Sequence, residues 1–135
     1  MQDHRIVFAE DEPAPIRRLD LNSGLLAALP TASPVNGRVY KPQYSDFQAD
    51  ALIWDTLTSR SLEYGVPGRP RLLLGFEGLP ILGIWQKPGA RFLCIEPWAG
   101  LADPVDFEGE FDEKPGIQVL TLGGVQTFRY EISLI

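Results

Sequence analysis

The sequence predicts an all-β domain, an antiparallel β-sandwich with at most a short helical turn. Three observations carry this expectation. Thirteen glycines and twelve prolines among 135 residues interrupt the chain too often for long helices. Short apolar runs alternate with turn dipeptides, as strands of a sandwich do. A content of 44% hydrophobic and 22% charged residues is that of a folded domain rather than a disordered chain. The length fits one domain, residues 1–135, which buries roughly two thirds of its unfolded surface in one core.

The first strand is expected at Ile6-Val7-Phe8, followed by an acidic, proline-broken stretch. Residues 19–29 contain the turn signal Asn22-Ser23-Gly24 and then a leucine- and alanine-rich run that fits a strand or a short helix. Residues 30–37 read as loop, closed by the turn dipeptide Asn36-Gly37. The best place for a helical turn is 45–57, where Asp46 is placed to cap and Ala49, Leu52 and Ile53 fall at helical spacing. Short strands are expected at 61–64 and 71–76, with the turn Val66-Pro67-Gly68-Arg69-Pro70 between them. In the second of these, Leu72, Leu74 and Phe76 share a face.

A hairpin follows, running in over 81–86, turning at Lys87-Pro88-Gly89-Ala90 and running out over 91–98. Residues 99–116 form a long acidic loop. A strand is expected at 117–120, a turn at Gly123-Gly124, and a last alternating strand with Gln126, Phe128, Tyr130, Ile132 and Leu134 on one face.

Charge excludes several partners. The net charge is −6 with no basic patch, so nucleic acid and an anionic membrane surface are not expected partners. Apolar runs are far shorter than a membrane span, and the first residues carry no signal-peptide core. The single cysteine, Cys94, forms no internal disulfide, which fits a reducing, cytoplasmic setting. One histidine and one cysteine far apart make a zinc site improbable, and the acidic loop lacks calcium-loop spacing. No phosphate-cradling glycine loop and no nucleophile elbow is present. No metal is therefore expected. His4 beside Asp3 and Arg5 reads as an exposed terminal histidine.

The unusual segment is Phe92-Leu93-Cys94-Ile95-Glu96-Pro97-Trp98. Alternation puts Phe92, Cys94, Glu96 and Trp98 on one face, with Leu93 and Ile95 on the other. A carboxylate among apolar and aromatic neighbours is costly to bury unless paired. Desolvation raises such a pKa and prepares the group for proton transfer. Trp98 offers a flat apolar surface, and Pro97 marks a strand end or edge. The competing reading is that Glu96 simply pairs with a lysine or arginine.

The stretch Leu82-Gly83-Ile84-Trp85-Gln86-Lys87-Pro88-Gly89-Ala90-Arg91, continued by 92–98, resembles a signature block of the aldose 1-epimerase (galactose mutarotase) family. Shorter pieces fit the same pattern on both sides: Arg17-Arg18-Leu19-Asp20, Asp50-Ala51-Leu52-Ile53-Trp54, Ser59-Arg60-Ser61, Gly100-Leu101-Ala102-Asp103 and Glu113-Lys114-Pro115-Gly116-Ile117. The resemblance implies the C-terminal half of a galactose mutarotase-like supersandwich. It implies interconversion of the α and β anomers of an aldose by acid/base ring opening, without a cofactor. The family's general base matches Glu96. Its sugar-binding aspartate matches Asp50, with Asp46 and Asp55 as neighbours in the same short motif.

The family is considerably longer, and its catalytic histidines lie in an N-terminal half that this chain does not carry. His4 does not match their motifs. General acid/base catalysis needs both partners within reach of the substrate, and losing one costs roughly 10²–10⁴-fold. Whether the chain is an enzyme by itself is therefore left open. The alternatives are a non-catalytic carbohydrate-binding module, with Trp98, Glu96 and Asp50 as its surface, or a truncated remnant. The expected partners are a monosaccharide such as an aldohexose, and either a second copy in a homo-oligomer or the missing N-terminal half, because a half-sandwich exposes edges and apolar surface.

Overall fold

A computed structural model describes residues 3–135. Eight strands form two antiparallel sheets: β1 (Arg5–Phe8), β2 (Val39–Tyr40), β3 (Leu52–Trp54), β4 (Ser61–Gly65), β5 (Leu72–Glu77), β6 (Ile81–Trp85), β7 (Cys94–Trp98) and β8 (Arg129–Leu134). The larger sheet has the order β2-β1-β4-β5-β8, and the smaller β3-β6-β7. Helical structure among the described residues is confined to two 3-10 turns, Tyr44–Phe47 and Phe111–Glu113. The all-β sandwich expected from turn density is the architecture observed.

The core follows from alternation. Ile6 and Phe8 of β1, Tyr40 of β2, Leu62 of β4, and Leu74 and Phe76 of β5 point inward from the larger sheet. Leu52 and Trp54 of β3 and Leu82 and Ile84 of β6 meet them from the smaller sheet. Trp54 is the centre, with its ring 5.7 Å from Phe8 and 6.1 Å from Tyr40. The fully buried Glu12 carboxylate ties the 9–15 loop to the entrance of β4, accepting from the Thr58 and Ser59 N–H groups at 3.0 and 2.5 Å.

A second cluster covers the opposite face of the smaller sheet. Ile53, Ile81, Ala51 and Leu26 are buried there, with Leu19, Trp85, Trp98 and Leu101 packed around them. Residues 19–29 supply part of this cover as neither strand nor helix. They fold back at Asp20, whose carboxylate accepts from the Asn22 and Ser23 N–H groups, and Leu19 bridges Leu26.

Three local expectations are corrected. Over 45–57 a 3-10 turn ends at Phe47, Asp50 takes a left-handed φ of 61°, and Leu52–Trp54 is a strand. The helical spacing of Ala49, Leu52 and Ile53 loses to pairing with β6, which buries Leu52 and Trp54 on one side and Ile53 on the other. Asp46 acts not as the first cap but as the third residue of the turn, accepting from the Gln43 N–H at 2.9 Å. Residues 117–120 form no strand: no neighbouring strand pairs with them, and Val119 and Leu120 are exposed. The histidine expected to be exposed, His4, is half-buried and stacked on Tyr64 at 5.3 Å.

The sheets differ in width, and β8 shows the consequence. Tyr130, Ile132 and Leu134 pair with Phe76, Leu74 and Leu72, so they continue the inward face of the larger sheet. Leu74 and Phe76 are buried, whereas Tyr130, Ile132 and Leu134 are 44%, 57% and 74% exposed; the three-stranded sheet reaches as far as Tyr130, whose hydroxyl donates to the Ile95 carbonyl of β7 at 3.4 Å.

Candidate functional site

The face of the smaller sheet that points away from the main core carries Glu96. Strand register builds a row across this face: Glu96 stands opposite Gly83, Gly83 opposite Ile53, and Ile53 bridges Arg17. The adjacent rows place Trp98 opposite Ile81 and Cys94 opposite Trp85. β7 is an edge of this sheet, so Glu96 and Trp98 lie at an open margin.

Gly83 is what lets the Trp98 indole close onto the sheet. A β-carbon built on Gly83 would stand 2.3 Å from Cζ2 and 2.4 Å from Cη2 of Trp98. The indole therefore occupies the notch that the missing side chain leaves. A glycine inside a strand of otherwise bulky residues, Ile-Leu-Gly-Ile-Trp, is the sequence signal for such a close approach.

Glu96 is half-buried, and no lysine or arginine among the described residues stands within ion-pair distance of it. The ion-paired alternative is thus not the arrangement seen. Its neighbour on the same face is Cys94, whose thiol pKa is raised by desolvation and by hydrogen bonding to the Glu96 carboxylate. Arg17, the cation at the far end of the row, is engaged elsewhere. It pairs with Asp55 at 3.6 Å and donates to the Ala27 carbonyl at 2.6 Å.

The three aspartates of the short motif separate by their partners. Asp46 accepts from the Tyr40 hydroxyl at 2.8 Å and caps the 3-10 turn. Asp55 holds Arg17. Asp50 accepts only from the adjacent Ala51 N–H, at 2.6 Å, among the described residues. Its backbone is fixed by Arg18, which donates to the carbonyls of Asp46, Asp50 and Ala51 at 2.8, 3.0 and 3.3 Å. Partial burial lowers the Arg18 pKa, and the nearby Tyr40, Asp46 and Asp50 act in the opposite direction.

Glu96 and Trp98 are brought together, and Asp50 is set apart. Asp50 lies two strands from β7 and three residues before the Glu96 row. That is about 10 Å across the sheet and about 10 Å along it, so the two backbones are about 14 Å apart. The two carboxylates are therefore too far apart to share one proton. His4 is on the other side of the smaller sheet, where with Gln86 and Leu93 it lines a cleft between the sheets. No histidine among the described residues reaches the Glu96 face.

Among the described residues, no group of three or more His, Cys, Asp or Glu side chains is placed to hold a metal ion. No helix is long and apolar enough to cross a membrane.

Neither a family model nor a curated protein matches the sequence. Solved structures do match the fold. A galactose mutarotase-like protein from Lactobacillus casei ATCC 334 superposes with a TM-score of 0.77 at 17% identity, over 100% of this chain and 47% of that one. A galactose mutarotase related enzyme from Lactobacillus acidophilus superposes with a TM-score of 0.69 at 21% identity, over 98% of this chain and 43% of that one. The chain thus spans less than half the length of these neighbours, and its two sheets have the fold of part of a galactose mutarotase-like sandwich.

Proposed function

We propose that the chain carries the general base and a sugar-binding carboxylate of an aldose 1-epimerase-type site. The observation that carries this reading is Glu96: a half-buried carboxylate with no cationic partner among the described residues, at an open sheet margin, two residues from an indole seated in the Gly83 notch. Trp98 and Glu96 together offer what a pyranose needs, a flat apolar surface and an acceptor at its rim.

In this mechanism Glu96 takes the proton of the anomeric hydroxyl. Electrons from that O–H bond form the aldehyde C=O, the C1–O5 bond breaks, and a general acid protonates O5. Rotation about C1–C2 and the reverse steps give the other anomer. Asp50 accepts from sugar hydroxyls and fixes the ring. The acid comes from outside the Glu96 face described, so catalysis by this chain alone falls roughly 10²–10⁴-fold short of a complete site.

Residues 1–135 are, in this account, one domain equivalent to the C-terminal part of an aldose 1-epimerase-like sandwich. Association accompanies it. The inward-facing but uncovered Ile132 and Leu134, together with the free edge of β8, support pairing with a second copy or with a histidine-bearing half-sandwich. The single cysteine supports a reducing, cytoplasmic setting.

Titration of the ¹⁵N-labelled chain with D-galactose tests where the sugar sits. Saturable shifts of the Gly83 and Glu96 amides and of one indole N–H, that of Trp98, are expected. Shifts confined to other residues would reject this site.

A further inference from the structure

At one end of the sandwich the sheets part between the start of β1 and the loop leaving β6. His4, Tyr44, Tyr64, Gln86, Arg91 and Phe92 line the cleft, which holds about 210 Å³. At about 30 Å³ per water this is room for about seven waters, and so for a small organic molecule.

The floor is built around Gln86, which is only 2% exposed. Its Nε2 donates to the Ala90 carbonyl at 2.8 Å, and the 87–90 turn, closed by the Ala90 N–H donating to the Lys87 carbonyl at 2.9 Å, holds that acceptor in place. The amide orientation is fixed in this way, because a carbonyl can be met only by the NH₂ end. Oε1 is left as a buried acceptor with no donor among the described residues. His4 Nδ1 is buried and unpartnered in the same sense. Leaving such groups unmet destabilises a fold, and they mark places where a ligand or water is held.

The walls narrow the choice of ligand. His4 and Tyr64 stack with centroids 5.3 Å apart and an interplanar angle of 27°, forming a flat side. Arg91 is exposed and has no carboxylate within ion-pair distance among the described residues. Gln86 Oε1 therefore asks for a hydrogen-bond donor, His4 Nδ1 for a polar partner and Arg91 for an anion. A phosphate meets Arg91 but turns acceptor oxygens toward Gln86 Oε1. A neutral sugar meets the floor but leaves Arg91 unused.

We propose that this cleft binds a small hydroxycarboxylate, a sugar acid, whose hydroxyls meet Gln86 Oε1 and His4 Nδ1 and whose carboxylate pairs with Arg91. This site is separate from the Glu96 face, since Gln86 and Leu93 point between the sheets.

The test is an NMR titration of the ¹⁵N-labelled chain with D-galacturonate, with D-galactose as the neutral comparator, read at the Gln86 side-chain amide. Loss of that signal pair in Gln86→Leu assigns it, and through-bond assignment on the unmodified chain serves if this variant does not fold. D-galacturonate is expected to shift the Gln86 amide saturably. Arg91→Ala, at an exposed position, is expected to weaken binding at least about tenfold, since a charge-assisted pair is lost. D-galactose is expected to be weaker by a similar factor. The proposal is overturned by an unmoved Gln86 amide at about 20 mM D-galacturonate, where a millimolar site is filled. It is equally overturned by equal affinity for both sugars or by unchanged binding in Arg91→Ala.

Discussion

Replacing Gly83 by alanine puts a methyl group where the Trp98 indole now lies. The new Cβ would meet Cζ2, Cη2 and Cε2 of that ring at 2.3, 2.4 and 2.9 Å. Ordinary carbon contacts are about 3.5–4.0 Å, so the indole must move by more than about 1 Å. Overpacking of this kind costs about 1–3 kcal/mol. In a domain of this size the thermal midpoint falls by roughly 3–15 °C. The control is Trp98→Ala, which empties the notch. Gly83 does not have a left-handed φ, so alanine fits its backbone. In that background Gly83→Ala is expected to stabilise by about 0.4–1 kcal/mol through the unfolded chain's lost freedom. The sign reverses, and the coupling between the two positions is about 1.5–4 kcal/mol. Thermal unfolding of the four proteins, followed by circular dichroism, measures it. Equal effects of Gly83→Ala in both backgrounds would show that the indole does not rest on Gly83, and the description of the Glu96 margin would fall with it.

Other expectations follow from single contacts. Because the Glu96 carboxylate helps raise the Cys94 pKa, Glu96→Gln should lower the pH midpoint for disulfide-reagent labelling of this sole cysteine; an unmoved midpoint would mean the two side chains are not neighbours. Burial and its hydrogen bond to Asp46 push the Tyr40 hydroxyl far above its ordinary value, so its stabilising contribution is intact below about pH 10 and is lost as pH rises above that. Tyr40→Phe should therefore flatten the alkaline limb of the stability-versus-pH curve. Glu12→Ala removes the acceptor of the exposed Thr58 and the buried Ser59 and should cost about 1–3 kcal/mol in urea unfolding; a change below about 0.5 kcal/mol would contradict the contacts drawn. Light scattering at micromolar concentration should report a dimer or larger species, and Ile132→Lys should shift it toward monomer.

The strands were most legible where alternation met a single buried face. Ile6 and Phe8 pointing inward, and the β6–β7 hairpin with Glu96 and Trp98 on one side, follow from period two and turn residues alone. β3 was hidden because Leu52, Ile53 and Trp54 are buried on both faces, which erases alternation and leaves a spacing that also fits a helix. Residues 117–120 show the opposite failure: an apolar run looks like a strand whether or not a neighbour exists to pair with it. β8 alternates in sequence, but which of its residues are covered depends on the width of the other sheet, a tertiary fact. At the site, Glu96 and Trp98 were marked by a carboxylate in a hydrophobic strand. Gly83 was not singled out, because only register reveals that it lies under the indole. The His4–Gln86 cleft gave no local signal, because His4, Tyr44, Tyr64 and Gln86 come from separate elements far apart in the chain.

The central claim is that Glu96 removes the anomeric proton. Polarimetry of freshly dissolved α-D-galactose tests it most directly, comparing buffer, the chain and Glu96→Gln at equal concentration. The account predicts a faster approach to the equilibrium rotation with the chain, modest because no histidine among the described residues faces Glu96, and a return to the buffer rate with Glu96→Gln. Equal acceleration by both proteins, or none by the folded chain, would contradict it.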